Sequence, residues 1–339
     1  MESPEHVFQL TEDIAHFFSR GDEKLIQTKI DGIRIAAISA AVSSNWESLS
    51  DVLGTMTAED RALAEKFTKN TGVKGRYNAG RYQTTSDFCY ASAKEILDKK
   101  QIDPREIGAL VFVTQTHDYG LPATACVLQH RLGLSEDCIA FDVNLGCSGF
   151  TYGVNIISSL MKTSNVSKAL LLCGDTSAKE KNFNAKVKQS HSATLLFGDS
   201  GTAALLVKDD RAEPIYSLSK TDGSRYKAII KPYGAWRNPE PADCETEMDG
   251  VAVFTFSTRE VPELITKTMK LTDSTPSDYD CLVLHQANMF IMKQIQKKTG
   301  FTKDQLAVSI DEFANTSSSS VPLTLVHRYV NSVRGGGGH

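Results

Sequence analysis

Apolar positions follow two periods along this chain. Leu110-Val111-Phe112-Val113, Cys138-Ile139-Ala140-Phe141-Asp142-Val143 and Ala169-Leu170-Leu171-Leu172-Cys173 are apolar runs of strand length. Helical spacing follows the first two: one predicted helix runs from Ala123 to Leu132 and ends at Gly133. A second runs from Ser148 to Lys162 and carries Val154, Ile157 and Met161 on one face. From Ile30 onward, short β-branched runs alternate with such helices, which predicts α/β layering. Residues 1–29 read differently. Val7, Leu10, Ile14, Phe17 and Phe18 recur at helical spacing until Ser19-Arg20-Gly21-Asp22, so an N-terminal helical extension and linker is expected there.

The order then repeats. Cys281-Leu282-Val283-Leu284 is a predicted strand, and His285-Gln286-Ala287-Asn288 opens a helix that runs through Lys298 and ends at Gly300. Leu306-Ala307-Val308-Ser309-Ile310 is the next predicted strand, leading through Phe313-Ala314-Asn315-Thr316 to a helix from about Val321. The two series are offset by roughly 170 residues, far longer than a solenoid period. They predict two pseudo-duplicated α/β halves, over 30–207 and 208–339, whose strand ends meet. The first half goes on to Ala169–Cys173 and to the apolar stretch Ala193–Val207, for which the second shows no counterpart before His339. Either the native chain continues past that residue or the second half is built without its final strands.

Composition narrows the possible functions. With 37 Lys+Arg against 41 Asp+Glu, a net charge of -4 and no sustained basic stripe, a polyphosphate partner is disfavoured. Apolar runs break off well short of the roughly 20 residues that cross a bilayer. Met1-Glu2-Ser3-Pro4-Glu5 lacks the basic flank and apolar block of a secretory signal, so a cytoplasmic protein is expected. The seven cysteines are scattered, without Cys-x-x-Cys or metal-ligand spacing. They read mostly as small core residues, and no metal site is expected.

One cysteine stands apart. Cys147 lies between Gly146 and Ser148-Gly149 at a strand-to-helix turn, where the helix dipole and unpaired N–H groups favour a thiolate. His285 and Asn315 fall at equivalent strand ends, where ligands gather in α/β sheets. Taken singly, a buried thiol, a hydrogen-bonded histidine and a capping asparagine explain them as well. Together, a thiolate nucleophile and two hydrogen-bond donors suit acyl transfer through a thioester.

The chain resembles the thiolase-like condensing enzymes, and within them β-ketoacyl-[acyl-carrier-protein] synthase III. The resemblance rests on Phe141-Asp142-Val143-Asn144-Leu145-Gly146-Cys147-Ser148-Gly149-Phe150, Phe197-Gly198-Asp199-Ser200-Gly201-Thr202-Ala203-Ala204, Met248-Asp249-Gly250-Val251-Ala252-Val253-Phe254, His285-Gln286-Ala287-Asn288 and Asn315-Thr316-Ser317-Ser318. These motifs occur in the family's order. Read alone, Gly198-Asp199-Ser200-Gly201 suggests a phosphate loop, but it lacks the Lys-Ser/Thr ending and is expected to be a hairpin turn.

The resemblance implies a thiolase-like fold of α-β-α-β-α layers and a homodimer. It also implies catalysis by Cys147, His285 and Asn315 with no metal or cofactor, the substrates being CoA or phosphopantetheine thioesters. An acyl-Cys147 enzyme would condense with malonyl-acyl carrier protein and release CO2. Leu121, before Pro122, would line the partner's acyl pocket. Phe290 stands where the family carries an Arg, and Lys66 and Asn70 stand where many members hold CoA's adenine with Trp and Arg, so free CoA is expected to be a poor carrier. Lys293 and Lys297, with Lys298, are candidates for docking an acidic carrier protein, or a solvated helix face. Two other readings stay open: acyl transfer to an amine or hydroxyl without condensation, and a non-catalytic partner subunit of the same fold.

Overall fold

A computed structural model of the chain describes residues 26–54, 56–178, 195–239 and 246–335. In chain order its main elements are β1 (Ile26–Ile30), β2 (Ile33–Ala41), β3 (Trp46–Ser48), α1 (Leu49–Gly54), α2 (Ala58–Thr71), β4 (Gly75–Tyr77), α3 (Thr85–Lys100) and β5 (Ala109–Val113). Then come α4 (Thr124–Arg131), β6 (Ile139–Val143), α5 (Gly149–Thr163), β7 (Lys168–Asp175), β8 (Ser200–Lys208) and β9 (Ile215–Ser219). The last helices are α6 (Gly250–Leu271), α7 (Met289–Thr299), α8 (Ile310–Phe313) and α9 (Ser320–Gly335).

The central sheet has five strands in the order β2-β8-β7-β5-β6. β5 pairs in parallel with both β6 and β7, whereas β8 runs antiparallel to β7 and β2. All five residues of β5 are buried, because helices cover both faces. Leu110 and Phe112 pack with Leu170 and Leu172 of β7 against Cys89, Ala93 and Ile96 of α3 and Leu128 of α4. Ala109, Val111 and Val113 face the other way, with Leu171 and Cys173, onto Val154, Ile157 and Met161 of α5. A one-residue slip would exchange those faces, so burying each Leu, Ile, Val or Phe, worth about 1.5–3 kcal/mol, also fixes the register.

α5 is covered on its far side as well. β1 and β9 form an antiparallel pair whose Ile30 and Ile215 join the same core, and Thr28 Oγ1 donates to Asn155 Oδ1 at 2.8 Å. α6 packs beyond β9, where Lys220 and Glu260 pair at 3.0 Å. The layers therefore run helix, sheet, helix, strand pair, helix, as expected.

Several sequence expectations change. The helix expected over 1–29 lies largely outside the described residues, and from Ile26 the chain is strand rather than linker. Cys281–Leu284 and Leu306–Ile310 do not form strands: they share one isolated bridge, Leu282 with Leu306, and Ile310 already starts α8. A side chain takes the place of the missing ladder. Buried Gln286 donates through Nε2 to Leu284 O at 2.9 Å and accepts at Oε1 from the backbone N–H of Ser309 and of Ile310 at 3.0 and 3.2 Å.

The turn expected at Gly198–Gly201 is not a hairpin, since Ser200 and Gly201 belong to β8. Asp199 pins the segment by accepting from Ala79 N–H and Ala178 N–H, each at 2.8 Å. Among the described cysteines only Cys89 and Cys173 are core residues; Cys126 is exposed on α4, while Cys138 and Cys281 are intermediate.

Candidate active site

β5, β6 and β7 are in register, Val113 lying opposite both Val143 and Cys173, so their C-terminal ends open at one edge of the sheet. Cys147 leaves β6 and precedes α5, whose N-cap Ser148 makes no side-chain cap. Gly149 must lack a side chain here, because a Cβ would stand 2.6 Å from Val113 Cγ1. That close approach seats the helix start, with its positive end, at the thiol.

His285 follows the segment clamped by Gln286, and Asn288 then caps α7 by accepting from Ile291 N–H at 2.7 Å. The imidazole Nδ1 lies 2.8 Å from Ser320 Oγ at the start of α9. Asn315 is buried. Its backbone bridges Phe197, with N–H donating to Leu196 O at 2.8 Å and C=O accepting from Gly198 N–H at 3.1 Å. Its side-chain Oδ1 accepts from Ser317 N–H at 2.9 Å, which orients the amide and leaves Nδ2 to donate elsewhere. Ala314 and Ser317, on either side, have φ of 58° and 54°. Left-handed backbone at two such residues is strained, and strain of this kind concentrates at functional sites.

Cys147 and His285 interact directly. Burial raises the Cys147 thiol, but the His285 charge, a hydrogen bond to its ring and the cysteine's own backbone N–H outweigh it and hold the thiol below its ordinary value. Burial pulls His285 down, yet the Cys147 charge and hydrogen bond, with the backbone of Ser317, leave it above its ordinary value. Cys147 nevertheless remains accessible at the surface. The arrangement favours a reachable thiolate beside an imidazolium.

Profiles of the 3-oxoacyl-[acyl-carrier-protein (ACP)] synthase III family match residues 141–223, which hold Cys147, and residues 269–337, its C-terminal part, which hold His285 and Asn315. Among solved structures, a 3-oxoacyl-(acyl-carrier protein) synthase from Burkholderia xenovorans LB400 is 29% identical with a TM-score of 0.83, the match covering 91% of this chain and 89% of that one. Both comparisons support a thiolase-like condensing enzyme of the synthase III type. Synthase III from Pseudomonas aeruginosa PAO1 is 26% identical with a TM-score of 0.76, over 89% of this chain and 90% of that one. The corresponding Thermus thermophilus enzyme is also 26% identical with a TM-score of 0.76, over 88% and 91%.

The remaining candidates of this condensing enzyme sit on exposed parts of the fold. Leu121 is 79% exposed in the loop between β5 and α4. Phe290, in the first turn of α7, is 50% exposed and stacks on Phe254 with ring centroids 5.6 Å apart. Lys293 and Lys297 are exposed on α7, opposite its buried Ile291 and Ile295, and Lys66 and Asn70 are exposed on α2. Lys298 is otherwise engaged, donating to Thr258 O at 2.6 Å.

Sequence reasoning missed Ser317 and Ser320, which hold His285, and Asp175, which closes β7. Asp175 did leave a signal: a carboxylate ending the apolar run Ala169–Cys173. No helix among the described residues is long and apolar enough to cross a membrane.

Proposed function

We propose that this enzyme forms an acyl-Cys147 intermediate and condenses it with a malonyl thioester. The observation that carries this reading is the mutual polarisation of Cys147 and His285 beside the oriented Asn315 amide. The Cys147 thiolate attacks the thioester carbonyl, forming a new C–S bond and expelling the carrier thiol, which takes up a proton. The malonyl thioester then loses CO2, and the electron pair of the broken C–C bond passes into an enolate. His285 N–H and Asn315 Nδ2–H donate to the enolate oxygen, each worth about 3–4 kcal/mol as charge develops. The carbanion attacks the acyl carbonyl and Cys147 leaves as thiolate, giving a β-ketoacyl thioester.

Carrier-bound donors suit this chain better than CoA. Phe290 offers an aromatic face rather than a cation, and the exposed Lys66 and Asn70 supply no aromatic ring for an adenine. Lys293 and Lys297 leave two free positive heads for an acidic carrier protein. Leu121, exposed on its loop, is assigned to the acyl pocket of a second copy in a cytoplasmic homodimer.

Intact-protein mass spectrometry tests the reading. An acyl adduct is expected on the wild type, faster from the carrier than from CoA, and none on Cys147→Ala; malonyl carrier should then release CO2 only when His285 and Asn315 are present. An adduct persisting on Cys147→Ala would sink the assignment. Acyl transfer to an amine without CO2 release would replace condensation by simple transfer.

A further inference from the structure

Asp175 is 1% exposed and belongs to none of the steps above. It ends β7 at the edge where β5 and β6 also end, and its two oxygens face different parts of the molecule. Oδ1 accepts from Gln115 N–H at 2.7 Å and lies 3.2 Å from the hydroxyls of both Thr114 and Thr116, in the loop after β5. Oδ2 accepts from Ser318 Oγ at 2.9 Å and Ser318 N–H at 3.2 Å, in the turn that follows Asn315.

That turn serves both donors of the site. Ser317 N–H orients the Asn315 amide, Ser317's backbone meets the His285 ring, and Ser317 itself has φ +54°. A strained turn needs outside support to persist. We infer that Asp175 is a positioning residue: bridging the loop after β5 and the Ser317–Ser318 turn, its carboxylate sets where His285 and Asn315 stand relative to Cys147.

The chemistry requires an acid at this position. Backbone N–H groups approach from both sides, at Gln115 and Ser318, and only a carboxylate accepts on both oxygens. An Asn would turn an NH2 group toward one of them. Hydrogen bonds to a buried carboxylate are also the stronger kind. Other titratable groups sense this carboxylate: burial is the main cause that raises Cys89 and Cys173, and the Asp175 charge adds to it. The same charge acts on Cys147 in the direction that opposes the thiolate. A lost charge and a lost position therefore have different signatures.

This inference rests on the condensation reading only for its substrate assay, and its decisive readout uses no substrate. The iodoacetamide alkylation rate of Cys147 would be followed against pH in wild type, Asp175→Asn, His285→Ala and the double variant. If Asp175 only contributes charge, His285→Ala moves the inflection equally in both backgrounds. If it positions the turn, the His285→Ala shift in the Asp175→Asn background falls to less than half. CO2 release from malonyl carrier should drop about 100-fold in Asp175→Asn, the scale of a misplaced donor.

Equal shifts in the two backgrounds would overturn the proposal, whether or not the wild type releases CO2. Absence of CO2 release from the wild type would instead overturn the condensation reading alone. Should Asp175→Asn fail to fold, Ser318→Ala removes one hydroxyl from Oδ2 and keeps the N–H. It should diminish the His285→Ala shift in the same sense and slow CO2 release about tenfold, as the loss of one charge-assisted hydrogen bond does. A Ser318→Ala protein that matches wild type in both measurements would overturn the role of Asp175.

Discussion

At Cys147 two influences of opposite sign meet, and His285 decides between them. Burial disfavours the thiolate, while the imidazolium and its hydrogen bond favour it. In His285→Ala only the favourable part is lost. The thiol must then ionise at higher pH, and at neutral pH its alkylation should slow by about tenfold or more, in proportion to the loss of one charge-assisted hydrogen bond. Stopped-flow iodoacetamide trapping across pH checks the sign; an inflection that stays in place or moves down would contradict the pairing. Because Cys147 is lowered and His285 raised, the ion pair in the wild type forms below the ordinary thiol value and persists above the ordinary imidazole value. At this scale the sequence was informative about the reacting atoms and, apart from the carboxylate that ends the run Ala169–Cys173, silent about their supports. Cys147 follows a strand that periodicity locates, and His285 and Asn315 come after apolar runs that the sequence marks even though those runs are not strands. Ser317, Ser320 and Asp175 act through the geometry of a buried turn, which a serine-rich stretch does not reveal.

Helices and the first sheet were legible because their periods are set by burial. α5 buries Val154, Ile157 and Met161 as its pattern implies, and β5 and β7 bury their apolar runs. The segments at 281–284 and 306–310 have the same apolar character but only one bridge between them, so Gln286 meets their backbone groups from its side chain. Hydrophobic pattern reports burial, and a ladder needs a partner strand as well. The link that holds Asn315 can be tested in the same terms. A Cβ on Gly198 would come 2.2 Å from the carbonyl oxygen of Phe313, which is backbone and cannot swing away. Gly198→Ala is therefore expected to cost about 1–3 kcal/mol by overpacking. It should also shift the Gly198–Asn315 bond enough to impair CO2 release more than alkylation of Cys147. Thermal unfolding together with the two assays decides; equal losses in both would mean a general disturbance. By contrast Asn288→Ala removes only the cap of α7 and should cost about 1 kcal/mol with alkylation of Cys147 preserved.

Across the whole molecule, the family resemblance foretold the layers better than the apolar pattern foretold the strands. β1 and β9 flank the first half at its two ends, yet their pairing closes the far side of α5, a long-range contact that no local pattern carries. The five-stranded sheet has an unfinished edge. β5, paired on both sides, is buried throughout, but none of the five residues of β6 is buried, and among the described residues no strand pairs with its outer side. Ile139 is 41% exposed there, and Tyr119 and Leu121 extend from the loop that leads into α4. An edge strand with unpaired backbone groups is a template for another strand unless something covers it. In the proposed homodimer a second copy would supply both the cover for β6 and a pocket for Leu121. Sedimentation equilibrium should therefore return twice the 37.1 kDa chain mass. Ile139→Lys sets a charge against its twin or its neighbour across such an edge and should move the equilibrium toward monomer, with condensation falling in parallel as Leu121 leaves the partner's site. If the wild type sediments as a monomer at assay concentration and is fully active, the exposed edge serves another purpose and Leu121 has no part in the acyl pocket.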